Sequence, residues 1–115
     1  MIKPRPNVLI VCGQNKCRSR TAEYIFKNDD RFAIRSVGLS PKSNRKINEK
    51  DITWAGLILV MTRDQKRMIL SLYRNAELPQ IEVLGIEDRY AYLDQELIGI
   101  LSGKVNDTLS VIYGI

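Results

Sequence analysis

Uninterrupted apolar runs and helical stripes alternate along this chain. The run Val8-Leu9-Ile10-Val11 leads straight into Cys12 with no polar residue between. Such a run, rich in β-branched residues, predicts a strand buried on both faces, as in parallel sheets. The pattern breaks at Gly13 and Asn15, two residue types that tolerate positive φ. From Arg18 onward Ala22, Ile25 and Phe26 recur at helical spacing and predict a helix over 18–27. Lys27-Asn-Asp-Asp-Arg31 is a polar break. Phe32–Val37 predicts a second strand ended by Gly38, and Ser40–Arg45 predicts a loop dense in turn residues.

The same alternation continues to the end. Asn48 predicts the N-cap of a short helix, with Asp51 at its third position and Ile47 and Ile52 spaced as a hydrophobic staple. Trp54 ends that helix and reads as core. Gly56–Met61 predicts a third, central strand. Thr62 and Gln65 read as a capping box opening the next helix, with Met68, Ile69, Leu72 and Tyr73 as its expected buried stripe. After Pro79, Ile81–Ile86 predicts a fourth strand. Asp94 reads as the cap of a long last helix, with Leu97, Ile98, Leu101 and Val105 inward. Gly99 and Gly103 weaken that helix by about 1 kcal/mol each relative to Ala, so bending or fraying is expected there. The order is β-α-β-α-β-α-β-α. It predicts an α/β fold, a doubly wound four-stranded parallel sheet with helices on both faces. Ligands of such sheets sit beyond the carboxyl ends of the strands, where the loop after Cys12 lies.

Composition narrows the class. A length of 115 residues suits one domain, spanning 1–115. Apolar residues at 44% and charged residues at 27% are ordinary for a globular protein. The first apolar run is too short for a signal-peptide core or a membrane span, so the expected compartment is the cytosol, with no membrane partner. Two cysteines make no disulfide framework, and with no histidine present they make no zinc site. The lack of histidine also excludes Ser-His-Asp and Cys-His catalysis. A net charge of +5 points to anionic partners. The clusters Lys42/Arg45/Lys46 and Arg63/Lys66/Arg67 lack the interleaved aromatics that stack bases. They read as solvated faces, which argues against nucleic acid.

Chemistry concentrates between Cys12 and Ser19. A strand, a tight loop and a helix N-terminus form an anion cradle. Its expected donors are the amides of Gly13, Gln14, Asn15, Lys16, Cys17, Arg18 and Ser19. A cysteine at the mouth of such a cradle is placed for nucleophilic work, since the reactive form is the thiolate. Arg18 adds a planar fork for two oxygens of a tetrahedral anion. Inorganic phosphate or sulfate is the simplest ligand for this loop.

The Cys-x5-Arg-Ser constellation resembles the loop of the low-molecular-weight protein tyrosine phosphatases, which runs Cys-x-Gly-Asn-x-Cys-Arg-Ser-Pro near the N-terminus. Cys12, Asn15, Cys17, Arg18 and Ser19 match residue for residue. The chain departs at Gly13-Gln14, where the family has a bulkier residue then Gly, and at Arg20, where it has Pro. With Gln14 the loop looks more like that of a shorter bacterial branch of phosphatase-like proteins. The resemblance implies a phosphatase I-like sheet and a phosphomonoesterase that needs neither cofactor nor metal, because cradle and arginine supply the electrostatics. It implies attack by Cys12 on phosphorus, a phosphocysteine intermediate, and equatorial oxygens held by Arg18 and the loop amides.

The resemblance also implies a general acid, carried by the family in an Asp-Pro-Tyr segment after the last strand. Here that segment reads Glu87-Asp88-Arg89-Tyr90-Ala91-Tyr92, so the role falls to Asp88, with Arg89 in place of Pro. Tyr90 and Tyr92 either shield Asp88 and flank the ring of an aryl phosphate or pack against the last helix. Asn15 is expected to be left-handed and bonded to Ser19, and Ser19 to donate to the Cys12 sulfur when it leaves. Cys17 either fills the loop or forms a disulfide with Cys12. Phosphotyrosyl protein, phosphoarginine and small phosphomonoesters all fit as substrates. Two other readings share the loop: a non-catalytic phosphate- or phosphopeptide-binding module, and an arsenate-reductase-like oxidoreductase. The second needs cysteines beyond the loop, and this chain has none.

Overall fold

Strand and helix alternate strictly, as the apolar pattern predicts. The computed structural model describes residues 5–115. Its elements are β1 (Asn7–Cys12), α1 (Arg18–Phe26), β2 (Ala33–Gly38), α2 (Glu49–Trp54), β3 (Leu57–Val60), α3 (Arg63–Leu72), β4 (Gln80–Val83) and α4 (Gln95–Tyr113). All four strands are parallel, in the order β2-β1-β3-β4. The central places of β1 and β3 explain their unbroken apolar runs: Val8–Val11 and Leu57–Val60 are fully buried. From β1 the chain steps outward to β2, then returns across the sheet to β3. The carboxyl end of β1, where Cys12 stands, is therefore the point at which strand order reverses and a crevice opens.

Alternate residues of β1 serve opposite layers. Val8, Ile10 and Cys12 join Ala22 and Phe26 of α1 and Leu97, Leu101, Val105 and Leu109 of α4. Leu9 and Val11 join Ile52 of α2 and Ile69 of α3. The cap of α2 matches expectation. Asn48 accepts from the Asp51 amide and Asp51 accepts from the Asn48 amide, each at 3.0 Å. Trp54 is half-buried against the second layer, with the Arg35 guanidinium 4.1 Å above its ring.

Several details differ from the sequence reading. Of the stripe expected on α3 only Ile69 is buried; Met68 is 46% and Leu72 60% exposed, while Tyr73 is half-buried. The helix packs chiefly on β3 and β4 at the sheet margin, so a narrow strip suffices to cover it. Thr62 accepts from the Gln65 amide at 3.3 Å, but the Gln65 side chain reaches one residue further back. It accepts from the buried Met61 amide at 2.8 Å, which would otherwise lack a partner where β3 ends. Strand β4 stops at Val83, because Gly85 turns with φ 71°. On α4, Leu109 rather than Ile98 completes the buried row, and the helix runs unbroken through Gly99 and Gly103. Among the described residues no helix is long and apolar enough to cross a membrane.

Candidate active site

Between β1 and α1, residues 13–16 belong to neither strand nor helix, and the Cys17 carbonyl accepts the first bond of α1, from the Thr21 amide at 2.8 Å. Asn15 adopts φ 52°, the left-handed conformation expected of it. The carbonyls of this loop are spent on the segment that follows β2. Leu39 N donates to Cys12 O at 3.1 Å, Ser40 N to Gly13 O at 2.8 Å and Asn44 N to Gln14 O at 3.3 Å. Side chains add to this: Asn44 Nδ2 donates to Asn15 O at 3.0 Å and Ser43 Oγ to Gly13 O at 3.3 Å. The amides are left over. Among the described residues none from Gly13 to Ser19 donates to a protein acceptor. Free donors beside a helix N-terminus are what an oxyanion requires. Gly38 is needed for this fit, because a Cβ there would strike Ser43 and lie 2.7 Å from the Asn15 nitrogen.

Behind the loop, buried polar side chains form a chain. Cys12 Sγ lies 2.9 Å from Ser19 Oγ, and Asn15 Nδ2 donates to Ser19 Oγ at 2.8 Å. The same nitrogen donates to Ser36 Oγ at 3.0 Å, and Ser36 Oγ donates to Glu23 Oε1 at 3.0 Å. Asn15, Ser19 and Ser36 are all buried.

In front of the loop lies a cavity of about 510 Å³ lined by Cys12, Gly13, Gln14, Lys16, Cys17, Arg18, Ser40 and Asp88. Arg18 is buried, donates from Nη1 to Ile86 O at 2.8 Å and brings Nη2 within 3.7 Å of Asp88. Most of the residues singled out in the sequence therefore meet at one place. Asn15 and Ser19 support it from behind. The tyrosines stand apart. Tyr90 packs against the core under the Arg89 guanidinium, and Tyr92 stacks with Arg20 at 4.7 Å in a separate hollow. Leu93, at φ 61°, ties their segment to α1 by donating from its amide to Thr21 Oγ1 at 3.0 Å. Asp88 is consequently not shielded; its side chain is 80% exposed. Asp94 accepts from the Leu97 amide at 3.1 Å and caps α4. Both cysteines are free thiols, Cys12 buried and Cys17 half-buried.

Sequence reading missed Glu23, Ser36, Ser40, Ser43 and Asn44. Only Ser40-Pro41 and Ser43-Asn44 carried a signal, as turn formers, and nothing local tied them to Cys12. A larger hollow of about 780 Å³ lies between α2 and the turn before β4; it shares no lining residue with the Cys12 cavity and holds no cysteine or arginine.

No family model matches the chain. The low-molecular-weight protein-tyrosine-phosphatase Ptp of Acinetobacter johnsonii is 32% identical over an 87-residue alignment covering 55% of this chain and 61% of the relative. The chain thus spans less than two thirds of that curated relative. Among solved structures, the low-molecular-weight protein tyrosine phosphatase SP-PTP of Streptococcus pyogenes superposes with a TM-score of 0.78 at 20% identity, covering 93% of each chain. The tyrosine phosphatase Wzb of Escherichia coli K30, in complex with phosphate, gives 0.73 at 16% identity, covering 95% of this chain and 99% of its own. These two likenesses speak for the fold. In fold over nearly its whole length, and in sequence over the matched part, this chain is related to the low-molecular-weight protein tyrosine phosphatases.

Proposed function

We propose that the chain is a cytosolic, cysteine-dependent phosphomonoesterase and that residues 1–115 act as one phosphatase-like domain. The observation that carries this reading is the meeting of the Cys12 sulfur, the Arg18 guanidinium and a run of unspent amides in one cavity. In the proposed reaction the Cys12 thiolate attacks phosphorus in line with the ester oxygen. The P–S bond forms as the P–O bond breaks, and Asp88 gives its proton to the leaving oxygen. Arg18 and the amides of residues 13–19 hold the equatorial oxygens, whose charge grows in the transition state. A water then attacks the phosphocysteine, Asp88 takes its proton, and Cys12 leaves as a thiolate. Ser19, 2.9 Å from the sulfur, stabilises that leaving group. Inorganic phosphate is released from the same cradle, which also accommodates sulfate.

The substrate is a phosphorylated protein or a small phosphomonoester. Hydrolysis of p-nitrophenyl phosphate is the direct test, with loss on iodoacetate treatment and protection by inorganic phosphate. Cys12→Ser should abolish turnover and keep phosphate binding, since amides and arginine remain. Phosphate binding by the unaltered protein without any turnover would leave a non-catalytic phosphate-binding module instead.

A further inference from the structure

The cavity in front of Cys12 is walled by polar and charged residues, and no aromatic or aliphatic side chain lines it. Tyr90 packs against the core, and Tyr92 stacks with Arg20 in a separate hollow. Among the described residues no ring therefore flanks a phenyl group held over Cys12. Arg18 is buried and held by Ile86 O and Asp88, an orientation that commits it to the phosphoryl group. Lys16 differs. It is exposed at the cavity, and among the described residues its ammonium has neither a hydrogen bond nor an ion pair. Ser40, on the same wall, accepts from the Lys42 amide at 3.1 Å, while its own hydroxyl proton is spent on no described acceptor. We propose that the substrate of this site is a small, non-aromatic phosphomonoester carrying a second anionic group, such as a carboxylate, which Lys16 recognises. The proposal deepens the phosphatase reading and rests on the loop amides and Arg18 holding the phosphoryl group.

Unspent donors decide between a second anion and a ring. The phosphoryl oxygens are met by the loop amides and by Arg18, whose fork lies in a fixed plane. What remains on the wall is an ammonium and a hydroxyl proton, both donors. A carboxylate can accept from both, whereas a phenyl ring can accept from neither except through its face. An ammonium on a flexible stem is a compact point charge with three donors, so it can follow an anion whose position varies from one substrate to another. The alternative is that Lys16 only adds to the general positive field, attracting every anion in proportion to its charge. A field does not depend on which lysine supplies it. Lys42 is equally exposed, belongs to the adjoining loop and does not line the cavity, so it separates the two.

The test reads dissociation constants by calorimetry on Cys12→Ser, with 3-phosphoglycerate, glycerol 3-phosphate and phenyl phosphate as probes. The first two share a phosphorylated three-carbon chain and differ by a carboxylate in place of a hydroxymethyl group. 3-Phosphoglycerate should bind about five- to tenfold tighter, between the worth of an exposed ion pair and that of a hydrogen bond to a charged group. Phenyl phosphate should bind no tighter than glycerol 3-phosphate. Adding Lys16→Gln should bring the ratio of the first two near one, adding Lys16→Arg should keep most of it, and adding Lys42→Gln should leave it in place. A ratio near one at the outset, a ratio that survives Lys16→Gln, an equal fall with Lys42→Gln, or tightest binding of phenyl phosphate overturns the proposal. Because binding needs no turnover, absence of phosphatase activity is a separate result. Should Cys12→Ser fail to fold, the unaltered protein gives the same ratios, as inhibition constants against p-nitrophenyl phosphate if it turns over and by direct titration if it does not.

Discussion

Arg18 donates from Nη1 to the carbonyl oxygen of Ile86, 2.8 Å away and 68 residues further along the chain. One residue joins the start of α1 to the segment beyond β4, closing the cavity from both sides. The bond also holds the guanidinium plane before any anion arrives, so less side-chain freedom is lost on binding. It accounts for how a cation can be buried here: one N–H is satisfied by a carbonyl, and Asp88 stands 3.7 Å from another nitrogen.

Arg18→Lys separates charge from shape. An ammonium keeps the charge but cannot bond Ile86 and two anion oxygens in one plane. The expected loss in kcat/KM on an aryl phosphate is about 100-fold or more, with weaker phosphate binding. A near-normal kcat/KM would reduce Arg18 to a structural clasp between the two segments.

Ser19→Ala removes the nearest hydroxyl from the Cys12 sulfur. A hydrogen bond to a charged group is worth about 1.5–3 kcal/mol, so the second step should slow by roughly 10- to 150-fold. Breakdown of the phosphocysteine would become limiting, and rapid mixing should show a burst of phenol before the steady state. Unchanged steady-state rates without a burst would confine Ser19 to packing.

What the sequence disclosed follows from where information is local. Val8–Cys12 and Leu57–Val60 announced central strands because both faces of each are covered, and no polar residue interrupts either. The Cys12 loop was legible because strand, turn and helix start fall within twelve residues. On α3, Met68 and Leu72 misled. An apolar residue at helical spacing reports a possible buried face, and how wide that face is depends on what lies beneath. Ser36 and Glu23 lay hidden for another reason. They meet across 13 positions of chain, and each alone is an ordinary polar residue of a strand or helix. The tyrosines were left undecided between substrate and core. Their segment is fixed by the bond from Leu93 to Thr21, which no local pattern encodes.

Acid should expose one local ion pair, between Asp29 and Arg31. Hydrogen bonds from the Arg31 side chain hold the Asp29 carboxyl below its ordinary value, working against its own partial burial. A carboxyl whose proton affinity is lowered by folding contributes stability above its unfolded value, and that contribution fades as pH falls through the lower folded value. The unfolded value is about 3.9, so the window lies below about pH 4. Unaltered protein should therefore exceed Asp29→Asn in Tm at neutral pH, by a small margin because Arg31 is partly exposed. The margin should shrink on acidification below pH 4. A constant gap down to pH 2 would mean that the pair contributes nothing through ionisation.

Two carboxylates compete for the acid–base role, and their surroundings differ in kind. Asp94 is already employed: its Oδ1 accepts the Leu97 amide at 3.1 Å and closes the N-terminus of α4. Bonded there, Asp94 is committed to the cap, and it does not line the Cys12 cavity. Asp88 lines the Cys12 cavity, is 80% exposed and stands 3.7 Å from Arg18 Nη2. Being open to water, it can take a proton from solvent between turnovers and deliver it to an ester oxygen held over Cys12. Asp88→Asn should slow hydrolysis of phosphotyrosine by about 100-fold or more, the usual range for a lost general acid, because its phenolate is a poor leaving group. Esters of strongly acidic phenols leave without a proton and should lose far less, so the dependence of rate on leaving-group acidity should steepen. Asp94→Asn keeps a good N-cap and should shift stability by less than about 1 kcal/mol while leaving that dependence intact. If the dependence steepens in Asp94→Asn and stays flat in Asp88→Asn, the roles of the two carboxylates are reversed.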